Sequence, residues 1–200
     1  MKIFSFINSS LDNNLLFKEI HLAFYLKPET ALLKNNTSFF IPEFSTDIRC
    51  CMGVAVKICK LGKHIKEKFA TNYYNEISIC VNIVAYDVLA KLIMCKMPWD
   101  KAISFDGSTI VGSFIQCNGD ILSKNTDFNI TINDNINSTI NILELPVAIN
   151  KAIEAASVFY TFKIGDYLII EAPYNYFPLK IGDSINGFIS GEKKIDFKIK

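Results

Sequence analysis

The window "ISICVNIVAYDVLAKLIMC", residues 77–95, constrains this chain more than any other. It is the most apolar stretch present, but a membrane span would have to bury Asn82, Asp87 and Lys91 in lipid. Its first half, residues 77–84, is a β-branched run. Helical spacing then continues to about Cys95, and Pro98 ends it. The window therefore predicts a core strand running into a helix. A second run, residues 48–59, alternates as a strand with Val54, Val56 and Ile58 on one face. At 200 residues the chain can bury a substantial core as one domain.

Shorter signals fill in the rest. "KIFSF" opens the chain as a strand, and residues 8–20 are polar, a loop or short helix. "LAFYLKPETALL" is a strand stopped by Pro28 and followed by a turn. "SFFIPEF" is extended. Ile65, Phe69 and Tyr73 place a short helix within residues 65–77. "FDGSTIVGSFI" reads as turn then strand, with Asp106-Gly107 as the turn pair. Residues 117–142 alternate Asn/Asp-rich turns with short strands. "LPVAINKAIEAASVFY" is the clearest helix: Pro146 suits its first turn, and positions 149, 152, 153, 156 and 159 form one apolar face. "KIGD" occurs twice, each time as a turn entering a strand, and "KKIDFKIK" closes the chain. The class is α+β, strand-dominated, with a few short helices.

Composition excludes several functions. The formal charge is +1 and Arg49 is the only arginine, so there is no basic footprint for nucleic acid or an anionic membrane. The six cysteines, at 50, 51, 59, 80, 95 and 117, form no CxxC and no zinc spacing. Neighbouring strand residues point to opposite faces, so Cys50 and Cys51 are poorly placed to bridge. They read as reduced, mostly buried thiols of a cytoplasmic protein. Four Asn-x-Ser/Thr sequons are chance matches in an Asn-rich chain. Half the residues are hydrophobic, and the mean hydropathy is +0.24. No dinucleotide fingerprint, P-loop or nucleophile elbow occurs.

Taken in order, "FYLKPETALL", "VAVKICKLGKHI", "VNIVAYDVL", "PWDKAISFDGSTIVGSFI", "FYTFKIGDYLIIEAP" and "LKIGDSINGFISG" resemble the fumarylacetoacetate hydrolase family along nearly the whole chain. The resemblance implies a mixed β-roll of the family's C-terminal-domain type. It implies one domain over 1–200, with N-terminal strands and a loop over 1–45 and the core roll over 46–200, and a homodimer or a heteromer with an intact paralogue. Family enzymes act on 1,3-dicarbonyl or 2-oxo acids. A Mg²⁺ or Mn²⁺ ion, held by a Glu-x-Glu and a third carboxylate, stabilises the enolate.

The same resemblance places Cys51 and Gly53 at the Glu-x-Glu and Asn82 at the third carboxylate. Tyr86 stands at the arginine of an "ARD" element whose Asp87 matches. Ile103 stands at a substrate-binding lysine. Ala172 and Asn175 stand at the threonine and glycine of a "GTP-x-G" loop. Lys27 and Asn141 complete the family-pocket positions. The family's hydrolases place a water-activating His in an N-terminal segment. Here no histidine precedes His21, and His64 falls elsewhere. A thiol, a bare glycine and a neutral amide cannot offset the hydration of a divalent ion. No cofactor is therefore expected, no catalytic residue is assigned, and the leading expectation is a pseudoenzyme or partner subunit. Two alternatives stay open. One is an active Mg²⁺- or Mn²⁺-dependent hydrolase or decarboxylase with relocated ligands, Glu43 and Asp47 being the nearest acids. The other is a metal-free binder of a small 2-oxo acid using Lys27 and backbone N–H groups. Cys51 is a nucleophile only if something activates it, and Arg49 is the nearest cation. Trp99 and Phe105 are expected to pack in the core or a turn.

Overall fold

A computed structural model describes residues 1–7, 23–33, 37–117, 126–141, 145–172 and 176–200. Its strands are β1 (Ile3–Ile7), β2 (Ala23–Lys27), β3 (Leu32–Leu33), β4 (Ile48–Ile58), β5 (Tyr74–Ala85), β6 (Thr109–Val111), β7 (Ile115–Gln116), β8 (Asp127–Ile132), β9 (Asn135–Asn141), β10 (Tyr167–Glu171), β11 (Phe177–Pro178), β12 (Ser184–Ile189) and β13 (Glu192–Lys198). The helices are α1 (Tyr86–Met94), α2 (Asp100–Ile103) and α3 (Leu145–Phe159). Among the described residues, nine strands form a mixed sheet in the order β2-β1-β10-β4-β5-β6-β3, with β11 on β4 and β7 on β5. A four-stranded antiparallel sheet runs β13-β12-β8-β9. No helix among the described residues is long and apolar enough to cross a membrane.

The large sheet is rolled. Its end strands β2 and β3 are joined by residues 28–31 alone. That link reaches roughly 17 Å when extended, whereas six strand intervals in a flat sheet span roughly 29 Å. The roll brings both edges over one shared interior.

Strand alternation sorts the two faces. Phe4, Phe6, Cys50, Met52, Val54, Val56, Ile58, Ile77, Ile79, Val81, Ile83, Leu168 and Ile170 enter the main core, with Phe128, Ile130, Ile185, Ile195 and Phe197 of the small sheet and Ile149, Ala152, Ile153 and Ala156 of α3. Both long strands are buried on both faces, which explains their nearly unbroken apolar sequence. Cys50 and Cys51 take opposite faces, as the alternation requires, and the described cysteines are all free.

The expected apolar face of α3 holds at 149, 152, 153 and 156 but not at Phe159, which is 70% exposed. The helix expected within 65–77 is a 3₁₀ segment, Glu67–Tyr73, and β5 begins at Tyr74. Pairing of Tyr74 with Ile58 of β4 takes those residues into the sheet. The two "KIGD" stretches adopt one turn. Gly165 and Gly182 have φ of 88° and 96°. In each, the Asp carboxylate accepts the N–H of the lysine three residues earlier, Lys163 to Asp166 at 2.9 Å and Lys180 to Asp183 at 2.7 Å. The lysine carbonyl accepts the Asp N–H in return.

Candidate functional site

The face opposite the main core carries Ser5, Tyr25, Lys27, Cys51, Gly53, Asn82, Thr109 and Glu171. Register places them. Cys51 pairs with Asn82, and Asn82 with Thr109, in one row across β4, β5 and β6. Gly53 pairs with Glu171, and Ser5 with Tyr25. Lys27 lies on β2 at the far edge, and the roll carries its chain across to that row.

Asn82 is the centre. Its Oδ1 accepts from Lys27 Nζ at 3.2 Å and from Thr109 Oγ1 at 2.8 Å. Its Nδ2 donates to Glu171 Oε1 at 2.7 Å and to Ser5 Oγ at 3.0 Å. Both ends of the amide are satisfied, and it bridges a buried ammonium to a buried carboxylate. Lys27 Nζ also donates to Thr109 Oγ1 at 2.6 Å, to the Ser108 carbonyl at 3.0 Å and to Ser108 Oγ at 3.3 Å. Glu171 Oε1 also accepts from Ser5 Oγ at 2.7 Å and from the Tyr25 hydroxyl.

Lys27 is 2% exposed and Glu171 3%. Burial lowers the Lys27 ammonium to about 8, with Glu171 pulling the other way. Desolvation raises the Tyr25 hydroxyl and the Cys51 thiol well above their ordinary values, and the Glu171 charge adds to both. Cys51 is therefore an inert thiol. Arg49 does not activate it. Its guanidinium forms a two-pronged bond to Asp47, at 3.0 and 2.7 Å, and lies 3.8 Å from the Tyr86 ring centroid.

The family-pocket positions separate. Lys27, Cys51, Gly53 and Asn82 come together. Ile103 ends α2 and packs with Val84, Leu89 and Ala102 behind Tyr25. Ala172 turns to the other face and enters the main core, its N–H donating to Met52 O at 2.8 Å, so it does not line the cluster. Asn141 pairs with Asp127 at the end of β9, and its side chain lies outside the described set. His21 and Asn175 lie outside the described residues. His64 sits beside α3, its N–H on Ser157 O. Phe105 packs against Phe39 and Phe44, as expected of a turn residue. Trp99 sits in the turn that opens α2, with its carbonyl accepting the Ala102 N–H; it is 43% exposed and lines a shallow pocket. The sequence reading missed Ser5, Tyr25, Thr109 and Glu171. The one available signal was Glu171, a lone acid ending the apolar run "YLII".

A divalent ion does not fit these residues. Cys51 is held protonated, both acceptor directions of Asn82 Oδ1 are taken, and position 53 has no side chain. Nor is there room for one. A Cβ on Gly53 would lie 2.9 Å from Cys80 Sγ, 3.0 Å from Ile169 Cγ2 and 3.0 Å from the Ile170 carbonyl. Among the described residues, no group of three His, Cys, Asp or Glu could hold a metal. Asp47 is committed to Arg49, Glu43 is exposed, and Asp87 accepts from Ser45 Oγ at 2.6 Å and from the Thr46 N–H. Burial opposes ionisation of Asp87, but these hydrogen bonds outweigh it and bring its carboxyl to about 2.

Residues 10–187 match the family model described as fumarylacetoacetate (FAA) hydrolase, C-terminal. The chain belongs to the fumarylacetoacetate hydrolase family. It is 25% identical over 170 residues to the oxaloacetate tautomerase YcgM of Escherichia coli, covering 84% of this chain and 77% of the relative. It is 23% identical over 176 residues to the mitochondrial oxaloacetate tautomerase FAHD1 of Bos taurus, covering 88% and 80%. Fumarylpyruvate hydrolase from Pseudomonas aeruginosa, solved with Mn²⁺ and pyruvate, superposes with a TM-score of 0.85 over 100% of this chain and 89% of its own, at 13% identity. At that identity the likeness speaks for the fold: the strand-dominated mixed β-roll of this family.

Proposed function

We propose that this family member has filled the metal pocket with its own side chains, carries no metal-dependent catalysis, and serves as a structural or partner subunit. Asn82 carries the reading. At the position of a metal-binding carboxylate stands an amide whose acceptor end holds Lys27 and whose donor end holds Glu171. A carboxylate there could not donate to Glu171, so the network requires the amide. Among the described residues, the Lys27 ammonium supplies one positive charge to the cluster and Glu171 balances it, which leaves no net charge to attract a divalent ion.

The two other readings have less support. Relocated ligands need acids near the pocket, and Asp47 and Asp87 are already bound elsewhere. A 2-oxo acid on Lys27 needs a free donor, and Lys27 Nζ already has four oxygen acceptors.

The test is thermal unfolding of the full chain with Mn²⁺, with and without oxalate, beside assays of oxaloacetate tautomerisation and fumarylpyruvate hydrolysis. We expect no metal-dependent rise in Tm and no turnover above background. Metal bound at about a hundred times its Kd would add about 2.7 kcal/mol and several degrees. Such a rise, strengthened by oxalate, overturns the reading. As a partner subunit, the chain is expected to sediment as a homodimer or to assemble with a relative that keeps the Glu-x-Glu.

A further inference from the structure

Beside the filled site, Tyr25, Pro98, Trp99, Asp100 and Ile103 line an open pocket of about 200 Å³. We propose that this pocket binds a small organic cation, of the methylated ammonium class. The inference goes beyond the loss of metal chemistry and stands on the pocket's own walls.

Those walls suit a cation and repel the carboxylate substrates of the family. Where family members place a substrate-binding lysine, the pocket has the apolar Ile103. Trp99 and Tyr25 line the pocket, and aromatic rings attract cations through their quadrupoles. The Tyr25 hydroxyl donates to the buried Glu171 carboxylate, which pushes electron density into its ring. Lys27 Nζ lies 6.0 Å from the same ring centroid, but Glu171 balances its charge. At the rim, the Asp100 carboxylate has no hydrogen-bond or ion-pair partner among the described residues. A methylated ammonium matches the set, because its methyl groups contact Ile103 and Pro98 while its spread charge faces the rings and Asp100. A bare metal ion would lose its water for one exposed carboxylate and does not match.

Trp99 is the only tryptophan in the chain, so the pocket contains its own reporter. Tetramethylammonium chloride is titrated into the full chain at constant ionic strength while Trp99 emission is followed. The uncharged mimic tert-butanol and the anion pyruvate serve as comparisons. We expect saturation in the millimolar range, with tert-butanol at least about tenfold weaker and pyruvate silent. Asp100→Asn should weaken tetramethylammonium roughly threefold or more, with an unchanged melting curve showing that the variant folds. No saturable change overturns the proposal. So does an equal response to tert-butanol, a response to pyruvate, or an affinity indifferent to Asp100→Asn. The Mn²⁺ titration reads the metal site separately, so either reading can fail alone.

Discussion

Lys27 and Glu171 hold opposite ends of one amide, and their values depend on each other. Removing either leaves an uncompensated buried charge, which costs about 3–5 kcal/mol. Lys27→Met and Glu171→Gln should each lose that much in urea unfolding, and the double variant clearly less than the sum. Additive losses would show that the two charges are not coupled. Asn82→Asp introduces a second carboxylate into the cluster and should harm the protein. The new carboxylate would replace the amide nitrogen now 2.7 Å from Glu171 Oε1, exchanging a donor for a like charge. We expect a loss of at least about 2 kcal/mol. The loss should shrink as pH falls, because one of two crowded carboxyls takes up a proton more readily than in the unfolded chain. A variant that gained Mn²⁺ affinity would contradict this.

Among the elements, the repeated Gly-Asp turn allows a comparison inside one molecule. Asp166 is 1% exposed and accepts from the backbone N–H of Lys2 at 2.8 Å as well as from Lys163. It also pairs with Lys2 Nζ at 2.8 Å, so it fastens β1 to the turn that starts β10. Asp183 makes the same lysine bond in a more open setting, with Asn133 Nδ2 at 2.8 Å. Asp166→Ala should therefore cost about 2–4 kcal/mol and Asp183→Ala about 1. Equal losses in chemical denaturation would mean that burial and the β1 tie contribute nothing. Just after β5, Asp87 in the first turn of α1 ties that helix to Ser45 and Thr46. The acid persists as an anchor for the helix.

For the whole molecule, the buried thiols set the alkaline limit. Desolvation raises Cys50 to about 12 and also raises Cys51, Cys80 and Tyr25. Above pH 9 the unfolded chain releases these protons and the folded chain keeps them, so stability falls as pH rises. Lys27 works in the opposite sense. Its folded value near 8 means that the unfolded chain carries the extra proton between about 8 and 10.5, which adds stability over that window. Three thiols outweigh one amine, so Tm should drop steeply from pH 9 upward in a non-oxidising buffer. A flat profile to pH 10.5 would mean that the thiols are open to solvent. Cys51→Ser and Cys80→Ser together should flatten the fall, whatever they do to stability at pH 7.

Local pattern was enough for the strands near 48–58 and 77–84, the helices after residue 85 and from 145, the paired Gly-Asp turns and the family. Periodicity and residue type act over a few positions, which is the reach of a single strand, helix or turn. The tertiary structure alone decided which side chains meet around Asn82. Lys27 reaches Asn82 only because β2 and β3 close the roll. Glu171 faces the site and Ala172 the core because β10 pairs in one register, and a slip of one residue would exchange them. Gly53 cannot regain a side chain because Cys80 and Ile169, distant in sequence, lie against its backbone. Each of these depends on contacts between strands far apart along the chain. Tertiary packing sets such contacts, and the spacing of residues within a single strand does not contain them.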